Sequence, residues 1–297
     1  MIRGSNKKGA GSMSHAMGRT SFTRADIEAL APAMKIGILA TVSENGLPHM
    51  TLLSSLRASS PTRLTFGQFT EGFSKSNVRR NPRTGFLVMT LQKELWRGTA
   101  AFSHTEKGGP DFEAYNNEPL FRYNSYFGIH TVYYLDLVGH GGRESLPMGG
   151  ILSASLATAA ARAVGGAAGK CRALNQWTRG VMSAMGNPKF AAYVAPDGYP
   201  RIIPILQAQA ASGDRILFSP LAYGDELGGI PAGTCLAAFG MTLKMEDVLM
   251  RGTYTGIRRI CGVRCGQLEV EWVYNSMPPA PGQVYPPTEC AAVRAFE

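Results

Sequence analysis

The chain has 297 residues, of which 44% are hydrophobic and 17% charged, so it can bury a substantial core and is not expected to be disordered. Its net charge of +9 is uneven, because residues 1–24 hold five basic side chains and no acidic one, which leaves four of the nine charges for the rest. So mild a charge argues against a nucleic-acid-binding surface, and no segment is long and apolar enough to span a membrane.

Residues 1–24 are rich in Gly, Ser, Lys and Met and lack apolar periodicity, which is typical of a flexible basic arm. They hold no apolar run of the length of a secretory signal. The five cysteines are odd in number, lie in the second half and lack the spacing of a zinc site. We therefore expect reduced thiols, no bound metal and a cytoplasmic location.

After the arm, a capping-box pattern at Thr23–Asp26 predicts a short helix. An Asn-Gly turn at 45–46 then separates two apolar runs, which is a strong hairpin signal. The strands predicted for this half are 36–42, 49–56, 63–69, 84–91, 97–102 and 131–138. With one helix between the third and fourth of them, these strands predict a small closed or partly closed barrel.

The helix of this half begins in the most distinctive motif of the chain, at 67–82. A strand ends in small and polar residues, a turn follows, and Ser74 is placed to N-cap a helix that Pro82 ends. Helix N-termini stabilise anions, and Lys75 with Ser76 adds a charge and a hydroxyl, so the motif predicts a phosphate pocket. The alternative is that the basic side chains form the solvated face of an ordinary short helix.

Two further segments close the first half. Nine of the 27 aromatic residues fall at 102–134, a segment that is interpreted either as a cap that stacks on a planar ligand or as a cover for the barrel end. Residues 145–161 carry no charge but are mostly small, so they predict a buried or linker helix rather than a membrane span.

The second half repeats the first. Asn-Gly-Leu-Pro at 45–48 returns as Asp-Gly-Tyr-Pro at 197–200, and Arg-Gly-Thr at 97–99 returns at 251–253, offsets of 152 and 154 residues. We interpret this as a duplicated domain; the alternative is coincidence among common turn sequences. The strands predicted here are 189–195, 201–209, 215–218, 234–242, 248–256 and 267–273. The helix is expected to be short or lost, because 220–233 contains six glycines and prolines.

The order of these elements resembles the FMN-binding split barrels of the pyridoxamine 5'-phosphate oxidase superfamily, well over 30–138 and more faintly over 187–273. The resemblance implies a mainly β (α+β) chain of two tandem split β-barrels joined by a helical linker. The predicted divisions are an arm at 1–24, a first barrel at 25–144, a linker at 145–186 and a degenerate second barrel at 187–297.

The resemblance also implies where FMN is bound. The residues expected near its phosphate are Thr70, Ser74, Lys75 and Ser76, with Asn77 ordering the turn and Arg57 as a second phosphate partner. Trp96 and Arg97 are expected to face the groove between the barrels. The second copy has Leu227 opposite Lys75, so one flavin site per chain is predicted. The second-copy residues expected to reach across are Gln207, Gln209, Arg251 and Tyr254.

The function implied is an FMN-dependent oxidoreductase that acts on a small molecule, with the two barrels of one chain as a pseudo-dimer. A nicotinamide reductant and further association into a homodimer are left open. No catalytic acid or base is identified. One alternative is a deazaflavin or haem protein, the haem ligand then being one of His49, His104, His130 or His140. Another is a flavin-binding carrier or sensor without enzymatic activity.

Overall fold

A computed structural model describes residues 18–69, 72–118, 128–165, 172–275 and 282–287 of the chain. The helices in these residues are α1 (Arg24–Leu30), α2 (Phe73–Arg80), α3 (Pro110–Asn117), α4 (Met148–Gly165), α5 (Gln176–Ser183) and α6 (Gly224–Gly228). The strands of the first half are β1 (Lys35–Val42), β2 (Pro48–Leu52), β3 (Arg57–Ser60), β4 (Arg63–Gln68), β5 (Arg83–Thr90), β6 (Glu94–Glu106) and β7 (Thr131–Ser145). Those of the second half are β8 (Lys189–Val194), β9 (Pro200–Pro204), β10 (Gln209–Ala210), β11 (Arg215–Phe218), β12 (Cys235–Met241), β13 (Asp247–Ile260), β14 (Val263–Asn275) and β15 (Gly282–Tyr285).

The two halves form antiparallel sheets with the same strand order. The first sheet runs β2-β1-β5-β6-β7-β4-β3, and the second runs β9-β8-β12-β13-β14-β11-β10, with β15 added beside β14. Each strand of the first sheet therefore has a counterpart in the second. This confirms the predicted mainly β fold of two tandem barrels, while the exact division into domains stays a prediction.

Three strands were missed by the sequence analysis, namely β3, β10 and β15. They have four, two and four residues, too few to show an alternating apolar pattern. The run predicted as one strand at 49–56 accordingly breaks after Leu52, where the chain turns into β3.

The turns and caps that the sequence predicted are formed. Thr23 and Asp26 make a complete capping box at the start of α1, with the Thr23 amide 2.9 Å from the Asp26 carboxylate. Gly46 and Gly198 have φ angles of +73° and +81°, a conformation that glycine adopts without strain, at equivalent hairpins of the two halves. The repeated Gly-x-Pro sequences thus reflect a shared backbone requirement.

The halves pack face to face through a shared hydrophobic core. Ile38 and Leu87 of the first sheet belong to the same buried cluster as Phe190 and Phe239 of the second. At Gly85 a Cβ atom would lie 2.3 Å from the carbonyl oxygen of Pro200, so the sheets meet there without room for a side chain. Burial of this apolar surface holds the two halves together as one packed unit.

The charge-free segment forms α4, which confirms the prediction of a helix between the halves. Ile151 and Ala154 on one side of it join the shared core, whereas Leu152 and Leu156 are exposed. Within the described residues, neither this helix nor any other has the combined length and apolarity that a membrane-spanning helix requires.

Candidate functional site

A groove of about 430 Å³ lies between the two halves. Its first wall comes from the β1–β2 hairpin and α2, and its second from β13, β14 and β15. The lining residues are Ser43, Asn45, Leu47, His49, Phe73, Asn77, Arg251, Trp272, Tyr274, Gly282 and Gln283. This set contains one arginine and no carboxylate among the described residues, so the groove is suited to an anionic ligand.

Aromatic rings from both halves meet in this groove. The ring of Tyr274 lies 5.6 Å from that of His49, 5.2 Å from Phe73 and 5.4 Å from Trp272, to which it is stacked at 6°. Trp272 donates its indole N–H to Gln283 of the neighbouring β15, 2.9 Å away. The result is a fixed aromatic surface that can stack on a planar ligand.

Two basic side chains lie deep in the groove wall. The guanidinium of Arg251 stacks on Trp272, with Cζ 3.8 Å from the ring centroid, and its buried Nε has no hydrogen-bond partner. Burial lowers the pKa of Arg251. Burial, with the charges of Arg251 and Lys75, also lowers the pKa of His49 to about 3, so this imidazole is neutral at physiological pH.

Helix α2 is held against the first sheet by polar contacts. Ser74 is buried and its hydroxyl hydrogen-bonds that of Thr51 on β2, while the Asn77 amide donates to Thr41 on β1 over 3.0 Å. The prediction that Ser74 N-caps the helix is wrong, because the helix begins at Phe73 and its N-cap is Gly72. Ser74 instead lies in the first turn and anchors it.

The residues expected at the phosphate are arranged as follows. Lys75 is buried at 5% exposure, and its charge reaches His49 in the groove. Ser76 is exposed and its hydroxyl donates to the Phe73 carbonyl, 2.9 Å away. Thr70 lies outside the described residues. The N-cap of α2 is Gly72, which has no side chain, so this N-cap residue supplies no side-chain hydrogen bond to the first turn.

Arg57 and Trp96 lie away from the groove. The Arg57 guanidinium stacks on Tyr115, 3.8 Å from the ring centroid, and lies 3.9 Å from the Asp111 carboxylate. Trp96 is fully buried inside the first half, where its indole N–H donates to Asp26 over 2.8 Å. The expectation that Trp96 faces the groove is therefore wrong: neighbouring strand residues point to opposite faces, and it is Arg97 that points to the second half.

Arg97 crosses to the second half but lies in an ion-pair cluster. Its Nη atoms donate to both carboxylate oxygens of Glu226, at 2.8 and 3.0 Å, and to the carbonyl of Ile202 at 3.1 Å. Nε and Nη2 donate to the two oxygens of Glu144, at 3.2 and 3.0 Å. Burial opposes the charge of Arg97, but the two glutamates outweigh it and raise its pKa.

Of the second-copy residues expected to reach across, only Arg251 lines the groove. Gln207 and Tyr254 are buried within the second half, where they donate to the carbonyls of Ser219 and Leu227. Gln209 is buried beside α4 and donates to the Ser155 carbonyl at 3.4 Å. These three residues do not line the groove.

Sequence reasoning missed several residues of the groove. His49 was considered only as one of four scattered histidines, and Phe73, Trp272 and Tyr274 were not singled out. The spacing of Trp272 and Tyr274, two residues apart on one strand, places both on one face and was the available signal. The described part of the aromatic segment packs elsewhere, with Tyr115 against Arg57; Phe121, Tyr123, Tyr126 and Phe127 lie outside the described residues.

No protein-family model and no curated protein matches the chain. Solved structures are similar to it. An FMN-binding protein from Syntrophomonas wolfei is 16% identical, with a TM-score of 0.34 over 41% of this chain and 84% of that one. A candidate pyridoxamine 5'-phosphate oxidase from Lactobacillus delbrueckii is 15% identical, with a TM-score of 0.33 over 41% and 95%. HupZ of Group A Streptococcus is 15% identical, with a TM-score of 0.32 over 39% and 89%.

Each of these matches covers about two fifths of this chain and most of the other chain. Identities and TM-scores this low carry neither a ligand nor a reaction to this chain, whose function has to be inferred from its own groove.

Proposed function

We propose that the protein is an FMN-dependent oxidoreductase that binds the flavin in the groove between its two halves and acts on a small molecule. The observation that carries this proposal is the combination of stacked aromatic rings in a groove without a described carboxylate and a buried lysine, Lys75, in the first turn of the adjoining helix α2. FMN has the matching parts, a planar ring system and an anionic phosphate.

Each part of the groove has a role in this proposal. Phe73, Trp272 and Tyr274 supply the surface on which the flavin ring stacks. The start of α2 holds the phosphate through its amide groups and through Lys75 and Ser76, because a helix N-terminus and a cation both favour an anion. FMN, when bound, supplies the redox chemistry at its N5 atom.

The protein's own contribution is to bind and orient the flavin and the small molecule and to exclude water from the groove. The neutral His49 can hydrogen-bond a ligand without adding charge, and within the described residues its ring makes aromatic contacts but no side-chain hydrogen bond. No side chain is assigned as an acid or base. Electrons are proposed to come from NADH or NADPH, and association into a homodimer remains a prediction.

One flavin per chain is proposed, because an ion-pair cluster around Arg97 occupies the position that corresponds to the groove. The five-residue helix α6 stands where α2 stands in the first half, and it presents Glu226 to Arg97. Leu227 occupies the position that corresponds to Lys75 and is fully buried. An anion brought to this place would meet two carboxylates, which disfavour it electrostatically.

The first experiment is the visible spectrum of the purified protein, followed by a titration of the ligand-free protein with FMN. We expect flavin absorption bands and one FMN per chain. Rapid bleaching of the bound flavin by NADH or NADPH would support turnover, whereas indifference to every reductant would favour a carrier or sensor. Failure to bind FMN at all would refute the proposal.

The phosphate grip is tested by replacing Lys75 and Ser76 together with alanine. We expect FMN binding to weaken by about tenfold or more, since a charge-assisted hydrogen bond contributes about 1.5–3 kcal/mol. Lys244→Ala, at an exposed turn of the second half, is the matched control and should bind FMN as the wild type does. An equal loss of FMN affinity in the double variant and the control, or a loss in neither, would contradict the assignment of Lys75 and Ser76 to the phosphate site.

A second candidate ligand is haem, which is favoured by one observation, the neutral His49 in the groove wall. An unprotonated imidazole is the form that binds a metal. A Soret band lost in His49→Ala would support haem over flavin. A deazaflavin has its own absorption band, so the same spectrum also separates that ligand from FMN.

A further inference from the structure

The two halves carry an arginine at equivalent positions, Arg97 on β6 and Arg251 on β13. Both precede a glycine in the repeated Arg-Gly-Thr sequence, and in both strands the register with the next strand shifts at this point. At each glycine a Cβ atom would collide with a carbonyl oxygen of that neighbouring strand, at 2.2 Å in the first half and 1.7 Å in the second. The backbone around the two arginines is therefore built alike.

The partners of the two arginines differ. Arg97 is paired with Glu144 on β7 and Glu226 on α6. Among the described residues Arg251 has no ion pair, and its pKa is lowered by burial, whereas that of Arg97 is raised by its carboxylates.

The strand register identifies what stands in place of Glu144. In the first half Leu95, two residues before Arg97, pairs with Glu144. In the second half Leu249, two residues before Arg251, pairs with Tyr274. The offset of 152 residues likewise places Ser74 of α2 opposite Glu226. The positions that correspond to the two carboxylates are thus occupied by a phenol and a hydroxyl in the other copy.

Arg251 consequently lies in a position that binds carboxylates in the other half, but without a carboxylate of its own. A buried guanidinium nitrogen left without an acceptor is costly, and the groove on which it opens gives a ligand access. We propose that Arg251 binds a carboxylate group of the substrate, so that the substrate class is a planar or aromatic carboxylic acid. This inference rests on the proposed function in taking the groove as the reaction site.

The shape of the groove supports this class of ligand. The guanidinium lies over Trp272, with Cζ 3.8 Å from the ring centroid, so the charge and an aromatic surface lie side by side in the groove. A ring that stacks beside Arg251 can present a carboxylate to the guanidinium, with which it forms two parallel hydrogen bonds. The flavin phosphate is the other anion that could reach Arg251, and the experiment separates the two.

The test uses benzoate as the probe and benzamide as its neutral counterpart, each titrated into the FMN-loaded protein and followed by the flavin absorption. We expect benzoate to bind at least about tenfold more tightly than benzamide, and Arg251→Gln to lose at least about tenfold in benzoate affinity. FMN affinity of Arg251→Gln should stay within about threefold of the wild type. Thermal unfolding checks that the variant is folded.

A second pair of variants changes Tyr274, the residue that stands in the second half at the position of Glu144 in the first. Tyr274→Glu supplies to Arg251 the carboxylate that Glu144 supplies to Arg97, and should abolish benzoate binding. Tyr274→Gln has nearly the same size without the charge and should retain more benzoate affinity than Tyr274→Glu. Glu71 lies outside the described residues, so its carboxylate is tested separately with Glu71→Gln. A large gain in benzoate affinity in this variant would show that the chain supplies its own carboxylate to Arg251 and would overturn the proposal.

Other outcomes are equally decisive. The proposal is overturned if benzoate binds Arg251→Gln as tightly as the wild type, if phenyl phosphate binds more tightly than benzoate, or if Arg251→Gln loses FMN rather than benzoate. If the wild type binds no FMN, benzoate is titrated into the flavin-free protein and followed by tryptophan fluorescence. Arg251-dependent binding there would retain the carboxylate site while the proposed flavin function fails.

Discussion

The positions at Arg251 and at Arg97 have equivalent strands and an equivalent arginine, but the two arginines have different partners. Arg97 is paired with Glu144 and Glu226, whereas the groove lined by Arg251 has no carboxylate among its described residues. The backbone of the two sheets is shared, so it does not account for this difference. The comparison teaches that the two arginines differ through the side chains around them.

The helices beside the two grooves differ in the same sense. α2 has eight residues and is tied to the sheet through Asn77 and Ser74, whereas α6 has five residues in a segment of glycines and prolines. A short helix brings Glu226 close enough to reach Arg97 with both carboxylate oxygens. In the second half the shorter helix α6 and its Glu226 thus form a contact between the halves.

The largest expected effect is on stability, when the two arginines are removed in turn. Arg97→Ala leaves two partly buried carboxylates without their partner and should lower the free energy of unfolding by roughly 3 kcal/mol. Arg251→Ala loses mainly its stacking on Trp272 and should cost at most about 1 kcal/mol. Urea unfolding measures both, and similar losses would contradict the contrast drawn between the grooves.

A smaller loss of stability is expected at the two glycines that follow these arginines, where the backbones of the two halves are alike. Gly98→Ala and Gly252→Ala each place a methyl group against a carbonyl oxygen, so each should cost about 1–3 kcal/mol in the free energy of unfolding. Gly186→Ala, which meets no atom within 4 Å, is the control and should be neutral or slightly stabilising. A tolerated alanine at either of the first two positions would show that the matched backbone is not required.

A pH dependence of stability is also expected from the groove, through His49. Because the pKa of His49 is about 3 in the folded chain and its ordinary value is 6.5, the unfolded chain takes up a proton first as the pH falls. Stability should therefore be lost progressively from about pH 6.5 towards pH 3, by proton linkage.

His49→Gln should flatten that dependence, measured as the urea midpoint at pH 4.5, 5.5 and 6.5. His130→Gln, at an exposed position, should leave the slope as it is in the wild type. Parallel curves for His49→Gln and the wild type would show that His49 is not held neutral by the groove.

The fold could be predicted from the sequence where its signals are local. The Asn-Gly and Asp-Gly hairpins, the capping box at Thr23 and the repeated Arg-Gly-Thr sequence each specify a turn or a bulge within a few residues. The short strands β3 and β10 could not be predicted, because two to four residues show no periodicity.

The site could be predicted only in part, because its walls come from both halves. A helix near Ser74 was predicted and is present as α2, but Trp272 and Tyr274 reach the groove through contacts between distant parts of the chain. Trp96 was placed in the groove although its neighbour Arg97 is the residue that points across, since which face of a strand is buried depends on the packing of the sheet. The ion pairs of Glu144 and Glu226 with Arg97 likewise depend on contacts between residues far apart in the chain.

The core between the halves, in which Ile38 and Leu87 pack with Phe190 and Phe239, belongs to one continuous polypeptide. Two identical subunits joined by such a surface would separate on dilution and would repeat every mutation on both sides. A fused pair is free of both constraints, because each side is encoded separately and its neighbour is always present. That is how one molecule can carry Glu144 on one side and Tyr274 at the corresponding place on the other.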